Sequence, residues 1–501
     1  MTDTTEYTWI LIVGIFASFS TAFGIGANDV ANAFATSVGS RALTIRQACA
    51  LAVIGEFLGA TLLGGEVVKT IRKGIADETY FEDNPPLLMW GCLSVLIAVT
   101  TWLLLASRLE MPVSTTHSTV GGMIGMAIAA KGLHAVKWYE PIDDFPFAGG
   151  FVGVVISWFL SPIASGIVAS ILFLCIRTFI LRSNEPFKRA IYVYPILVAL
   201  CVGIISMFML MKGIKSSSEI QNLDISVKIA ISCGIATLVS ILLIPVYKYI
   251  IKRINSTNFN LQLTAIEEFE NKSTIDQIEA NQNVENKQKV LFSLNANVHE
   301  AVETDKSTHK VHKNAERFDK KTEAFFVYLQ VFSAFFDSVC HGSNDVANAI
   351  GPFATIFIIF RTGIVSSRSD MDDHKYWILG LGGIGICLGL LLYGYRILRA
   401  IGVKLAAITP SRGFSIEMGS SLIVILGSYN KWPLSTTHCQ VGATCGVALL
   451  DGVSGINKYI LFKTVFGWII TCFLVGLLSA IIFSIGAYAP SIHQSCAKIT
   501  S

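Results

Sequence analysis

Charge is scarce in this sequence. Charged residues make up 15% of its 501 positions, against about 25% in a soluble domain. They cluster, and the stretches between clusters are long and apolar. The net charge is only +3, and no basic stripe of the kind that grips nucleic acid is present. Metal-ligand spacing is missing among the 11 cysteines. Scattered through apolar runs, as at Cys175, Cys233, Cys387 and Cys445, they read as small buried residues rather than disulfides. No Lys or Arg precedes the first apolar run, which starts near residue 8 after Asp3 and Glu6. A cleaved signal or organelle transit peptide is therefore not expected.

Hydrophobic length is what the chain has instead. A spanning helix needs about 20 mostly apolar residues. Such runs lie at 8–26, 47–68, 87–107, 113–130, 147–180, 190–212, 226–250, 323–360, 376–400, 414–430, 434–450 and 460–488. They predict an all-α polytopic protein of about twelve transmembrane helices in a lipid bilayer. Several runs are longer than one pass or are interrupted by Gly and Pro.

Residues 253–322 break the pattern. They are rich in Asn, Gln, Glu, Lys and Thr and cannot bury enough apolar surface to order themselves. A largely flexible soluble loop is expected, with short helices near 262–285. It separates a first membrane repeat with extra spans, 1–252, from a second, 323–501. Arg177, Arg182, Lys188 and Arg189 mark one cytoplasmic connection, and Lys248, Lys252 and Arg253 put the central loop on the same side.

The two membrane parts share motifs. "NDVANA" at 28–33 returns 316 residues later at 344–349, and "PVSTTH" at 112–117 is answered 321 residues later by "PLSTTH" at 433–438. Order and spacing are kept, so the chain is a duplicated unit. Duplicated halves, often of opposite orientation, mark secondary transporters whose sites lie at the midplane where broken helices meet. Gly24 and Gly26 before the first Asn-Asp, Gly342 before the second, and Pro112 and Pro433 before the Ser-Thr-Thr runs supply matching interruptions.

Pro followed by Ser and Thr reads as the start of a half-helix. Its free N–H groups form an anion site, and Ser114, Thr115, Thr116, Ser435, Thr436 and Thr437 add donors. Asn28 and Asn344 are placed with them. His117 and His438 follow each run, either donating to an anion or fixing the hairpin, the second being preferred. His341 has no counterpart in the first half, where Ile25 stands. A bare carboxylate in hydrocarbon costs at least about 2.5 kcal/mol. Asp29 with Asn32, and Asp345 with Asn348, put a carboxylate and an amide on one helix face. Hard oxygen ligands suit a hard cation. Glu56 and Glu417, also in apolar runs, are candidates for gating or carrying the coupling ion.

These residues identify a resemblance. "GANDVANA" with "PVSTTH", then "GSNDVANA" with "PLSTTH", resemble the inorganic phosphate transporter family, across 1–252 and 323–501 but not the central loop. The resemblance implies about twelve spans, an inverted repeat, orthophosphate as substrate, sodium or protons as coupling ions, no further cofactor, and often a homodimer. The motif residues Asn28, Asp29, Asn32, Asn344, Asp345 and Asn348, and the six hydroxyls, match the family's signature, and Glu56 and Glu417 stand where it keeps acids. The expectation is a plasma-membrane symporter, with sodium the favoured ion. Proton coupling, a sulfate carrier, a phosphate sensor signalling through 253–322, an ion channel and a membrane enzyme are the rival readings. Two near-identical motif sets fit alternating access better than one asymmetric catalytic centre.

Overall fold

The computed structural model describes residues 4–29, 31–65, 68, 75–142, 147–213, 223–256, 297–365, 374–430, 432 and 434–488. Helices account for nearly all of it. The first half contains α1 (Thr8–Asn28), α2 (Ala31–Gly39), α3 (Ile45–Leu58), α4 (Pro85–Arg108), α5 (Thr115–Lys131), α6 (Gly150–Ile176), α7 (Pro186–Phe208), α8 (Ile225–Leu242) and α9 (Ile244–Ile254). After the central stretch come α10 (Glu300–Thr304), α11 (Lys306–Asn314), α12 (Lys320–Thr362), α13 (Lys375–Tyr393), α14 (Tyr395–Arg399), α15 (Pro410–Tyr429), α16 (Thr436–Leu449) and α17 (Lys458–Tyr488). One two-residue hairpin pairs Glu140–Pro141 with Ala148–Gly149.

Local sequence sets the helix starts. Thr44 and Gln47 form a reciprocal capping box on α3. Asn84 caps α4, with Pro85 in the first turn. Nine helical stretches among the described residues are long and apolar enough to cross a membrane. The runs expected at 113–130, 414–430 and 434–450 are helical too, but are not among the nine. With 17 and 14 residues, α5 and α16 are shorter than the ~20 a span requires.

Polarity is arranged inside out. On α6, Phe159, Ile163, Ile167 and Ile171 form an exposed apolar stripe, while Ser157, Ser161 and Ser165 are buried on another face. An exposed stripe at four-residue spacing is a surface made for lipid.

The second Asn-Asp does not break its helix, contrary to expectation. It lies within the 43-residue α12, and α1 likewise runs straight through Gly24 and Gly26. The glycines serve close packing. A Cβ on Gly342 would stand 2.3 Å from the Glu56 carbonyl oxygen, and one on Gly26 would stand 1.9 Å from that of Ile386. Only the first motif lies at a helix end, where α1 stops at Asn28 and α2 begins at Ala31.

The central stretch also departs from its reading. Residues 257–296, including the helices expected near 262–285, lie outside the described residues. The part that follows is folded and docked: Val298, Ala301, Thr308 and Val311 are buried. His299 Nε2 lies 3.0 Å from the Val38 carbonyl and His312 Nε2 lies 2.9 Å from that of Val403. These carbonyls belong to α2 and to the π turn Ala400–Leu405, so residues 297–314 bridge the two halves. Arg182 then holds Glu316 at 2.8 Å, which keeps that carboxyl below its usual range. Elsewhere Arg399 and Lys404 both grip Glu110.

Candidate functional site

Both Ser-Thr-Thr motifs start helices. Ser114 accepts the His117 N–H at 3.2 Å, and Ser435 accepts that of His438 at 3.4 Å. The caps are extended and the next residue is helical, as N-cap chemistry requires. Each start reaches for the other. Thr116 Oγ1 donates weakly to the Leu434 carbonyl at 3.5 Å, and Thr437 Oγ1 to the Val113 carbonyl at 3.3 Å. Val113 and Leu434 hold the same place in the two motifs, so the exchange is reciprocal.

Asp29 sits where the starts meet. It accepts Thr115 Oγ1 at 2.6 Å, Thr437 Oγ1 at 2.5 Å and Thr436 Oγ1 at 3.3 Å, and Asn32 Nδ2 as well. Asp345 faces Thr436 at 3.4 Å and receives Asn344 Nδ2 at 3.2 Å. The amides cross between halves: Asn32 Nδ2 donates to Thr437 at 3.1 Å, and Asn348 Nδ2 to Thr115 at 3.0 Å and Thr116 at 3.4 Å. The side-chain oxygens of Asn32 and Asn348 are buried without a hydrogen-bond partner among the described residues. A buried amide oxygen normally finds a donor or a cation. Two of them, beside two carboxylates, fit a hard cation.

Not every expected residue is in this cluster. Asn28 points away from it and staples the loop ahead of α5. It donates to Ser107 Oγ and the Met111 carbonyl, both at 3.0 Å, and accepts the Val113 N–H at 2.9 Å. That occupies its hydrogen-bonding capacity with protein, so we place it as a positioning residue rather than a phosphate ligand. Ser114 and Ser435 are helix caps. His117 and His438 pack ring to ring at 4.5 Å, with His438 stacked on Trp468 at 3.6 Å and His117 near Trp158 at 5.1 Å. They join the two half-helices at the residue that follows each Ser-Thr-Thr run.

The remaining acids extend the polar interior. Glu417 accepts Thr36 at 2.5 Å, Ser37 at 3.0 Å, Gln330 Nε2 at 3.4 Å, and Ser333. Glu56 is fully buried, and neither of its oxygens has a hydrogen bond among the described residues. His341 lies between Asp345 and Asp337. Sequence reasoning missed Asp337, whose signal was the one-turn spacing Asp337, His341, Asp345. It also missed Thr36, Ser37, Gln330 and Ser333, which carry no local signature. Among the described residues, Lys or Arg pairs with none of Asp29, Glu56, Asp337, Asp345 and Glu417, all at most 1% exposed.

The fold and site together define a multi-pass integral membrane protein with an acidic interior site assembled from two halves. Comparison with known proteins gives the particular family: residues 25–479 match the phosphate transporter family, and the chain belongs to it. A putative phosphate permease of Pyrococcus abyssi is 32% identical over 479 residues, covering 95% of this chain and 98% of that protein. A phosphate-repressible phosphate permease of Neurospora crassa is 31% identical, covering 97% and 98%. A solved structure titled the sodium-dependent phosphate transporter superposes with a TM-score of 0.73 at 30% identity, covering 95% of this chain and 98% of that one. These relatives are carriers and permeases, and the chain is not an enzyme.

Proposed function

We propose that this protein carries inorganic phosphate across a membrane together with sodium, by alternating access. One observation supports the reading above the rest: a carboxylate from the first half, Asp29, is seated among the hydroxyls of both half-helix starts. Helix starts favour anions, and Asp29 already holds three of the hydroxyls there with its own negative charge.

An incoming oxyanion must therefore compete with Asp29. Bare, the two repel by about 4 kcal/mol at 4 Å and an effective dielectric of 20. Sodium bound by Asp29 and Asn32, and by Asp345 and Asn348, reverses that sign. It draws the carboxylates to itself and releases Thr115, Thr436 and Thr437 to donate to phosphate. Each ion then strengthens the other by the same factor, which is the thermodynamic condition for symport. Phosphate keeps a proton at neutral pH and can donate to a carboxylate, whereas sulfate cannot.

In this reading 1–252 and 323–501 are repeats of opposite orientation that rock about the shared site. The central stretch faces the cytoplasm, and the membrane is the plasma membrane. The test is uptake of radiolabelled phosphate into proteoliposomes, with sodium and pH gradients imposed separately. Saturable uptake driven by sodium supports the reading. Uptake indifferent to sodium and driven by pH would replace sodium with protons, and no uptake under either gradient would overturn it.

A further inference from the structure

Along α12, Asp337, His341 and Asp345 stand one turn apart and are all buried. His341 Nε2 is 3.6 Å from one Asp337 oxygen, and Nδ1 is 3.9 Å from Asp345. Both separations are too long for hydrogen bonds. The second Asp337 oxygen accepts the Ser421 hydroxyl from α15. Its first oxygen, Oδ2, and both His341 nitrogens have no hydrogen-bond partner among the described residues.

The internal repeat shows what is peculiar here. The offset of 316 sets Asp337 and His341 against Thr21 and Ile25, and the offset of 321 sets Ser421 against Thr100. The folded contacts agree: Thr21 Oγ1 and Thr100 Oγ1 lie 2.8 Å apart, joining α1 to α4 as Asp337 and Ser421 join α12 to α15. Two hydroxyls make this contact in the first half. A structural role thus needs no charge, yet the second half puts a carboxylate there at a cost in desolvation. The difference continues along the helix. Ser333 and Gln330, which hold Glu417, stand where the first half has Ala17 and Gly14, and Glu417 stands where it has Leu96. An acidic track leaves the central site through one half only.

We propose that Asp337, with the Ser421 hydroxyl, is a transfer station for the coupling sodium ion between the central site and the Glu417 cluster. The proposal rests on the cation-coupled reading given above. A free carboxylate oxygen beside a hydroxyl is a hard-oxygen pair of the kind such a cation takes. Eight helical residues put it about 12 Å along the axis from Asp345, which makes it a separate place from the central site. The charged or titratable neighbours within electrostatic reach are Asp345, Glu56, Glu417, His341, Cys201 and Cys439, and the carboxylates among them favour a cation at this place.

The test is the sodium dependence of phosphate uptake in proteoliposomes for wild type, Asp337→Thr, Asp337→Asn and Asp337→Glu. Asp337→Thr installs the first half's own hydroxyl pair and so keeps the contact. For Thr and Asn we expect the half-activating sodium concentration to rise about fivefold or more, as the loss of a charged ligand requires. The phosphate KM at saturating sodium should stay unchanged, and Glu should restore the sodium curve. A purely structural residue would lower the maximal rate without moving that curve, and this result overturns the proposal. So would failure of both Thr and Asn to fold, which would assign Asp337 to stability. Wild-type uptake that ignores sodium sinks the cation-coupled reading itself, before any variant is compared.

Discussion

Asp29 and Thr437 come from opposite halves of the chain and are joined by a 2.5 Å hydrogen bond, hydroxyl to carboxylate. The bond ties the first half's acid to the second half's helix start. Hydrogen bonds to a charged group are worth about 1.5–3 kcal/mol. Asp29→Asn keeps the shape and removes the charge, so phosphate uptake should fall roughly 10- to 100-fold. Its preference for phosphate over sulfate, read by competition, should fall as well. An intact preference would remove Asp29 from the selection of substrate.

Asn28 and Asn344 hold equivalent places in the motif but do different jobs. Asn28 has one bond to Ser107 at the end of α4 and two to the loop ahead of α5, while Asn344 is half-buried and donates to its neighbour Asp345. Asn28→Ala leaves buried backbone groups unpaired and should destabilise the protein by about 1–3 kcal/mol. Asn344→Ala should stay within about 0.5 kcal/mol. Thermal unfolding in detergent separates them, and equal shifts would refute the assignment.

Gly26 lets α1 touch the backbone of α13. An added methyl has no room 1.9 Å from the Ile386 oxygen, and the obstacle is backbone rather than a side chain that can swing away. Gly26→Ala should cost about 1–3 kcal/mol, the usual range for overpacking, and lower the folded yield. A wild-type melting temperature would show that the helices part easily.

Acid should loosen the docked segment 297–314. Burial, with Arg41 close by, pushes the His299 imidazole down to about 4, and burial lowers His312 as well. Undocked, a histidine titrates near about 6.5. Between these values the undocked segment holds the extra proton, so docking is complete above pH ~6.5 and weakens as the pH falls toward 4. Amide-exchange protection of 298–314, corrected for intrinsic rate, should drop between pH 7 and pH 5. A double His299→Gln, His312→Gln variant should lose that pH dependence.

Much of the architecture was readable because lipid imposes simple rules. Apolar runs became helices within a few residues of their expected ends, and the Pro-Ser-Thr-Thr pattern marked both half-helix starts through its capping chemistry. What escaped depends on distant partners. Asn28 looks like a site residue until 107–113 folds back onto it. Gly342 looks like a helix breaker until the backbone at Glu56 presses against it. Residues 297–314 look flexible by composition, because their few apolar side chains matter only once α2 and Ala400–Leu405 present carbonyls for His299 and His312 to cap. The Glu417 cluster gathers α2, α12 and α15, which no local pattern joins.

The shortness of α5 and α16 has an electrical consequence. Helices of 17 and 14 residues extend about 26 and 21 Å, against about 30 Å of hydrocarbon. Neither helix spans that layer alone, so in the proposed cycle the place where their starts meet lies partway through the membrane voltage. A cation reaching Asp29 in the proposed cycle crosses part of that field, and a full crossing is worth about 2.3 kcal/mol per charge at 100 mV. In that cycle turnover should respond to membrane potential through the ion's own displacement, without a dedicated voltage-sensing helix.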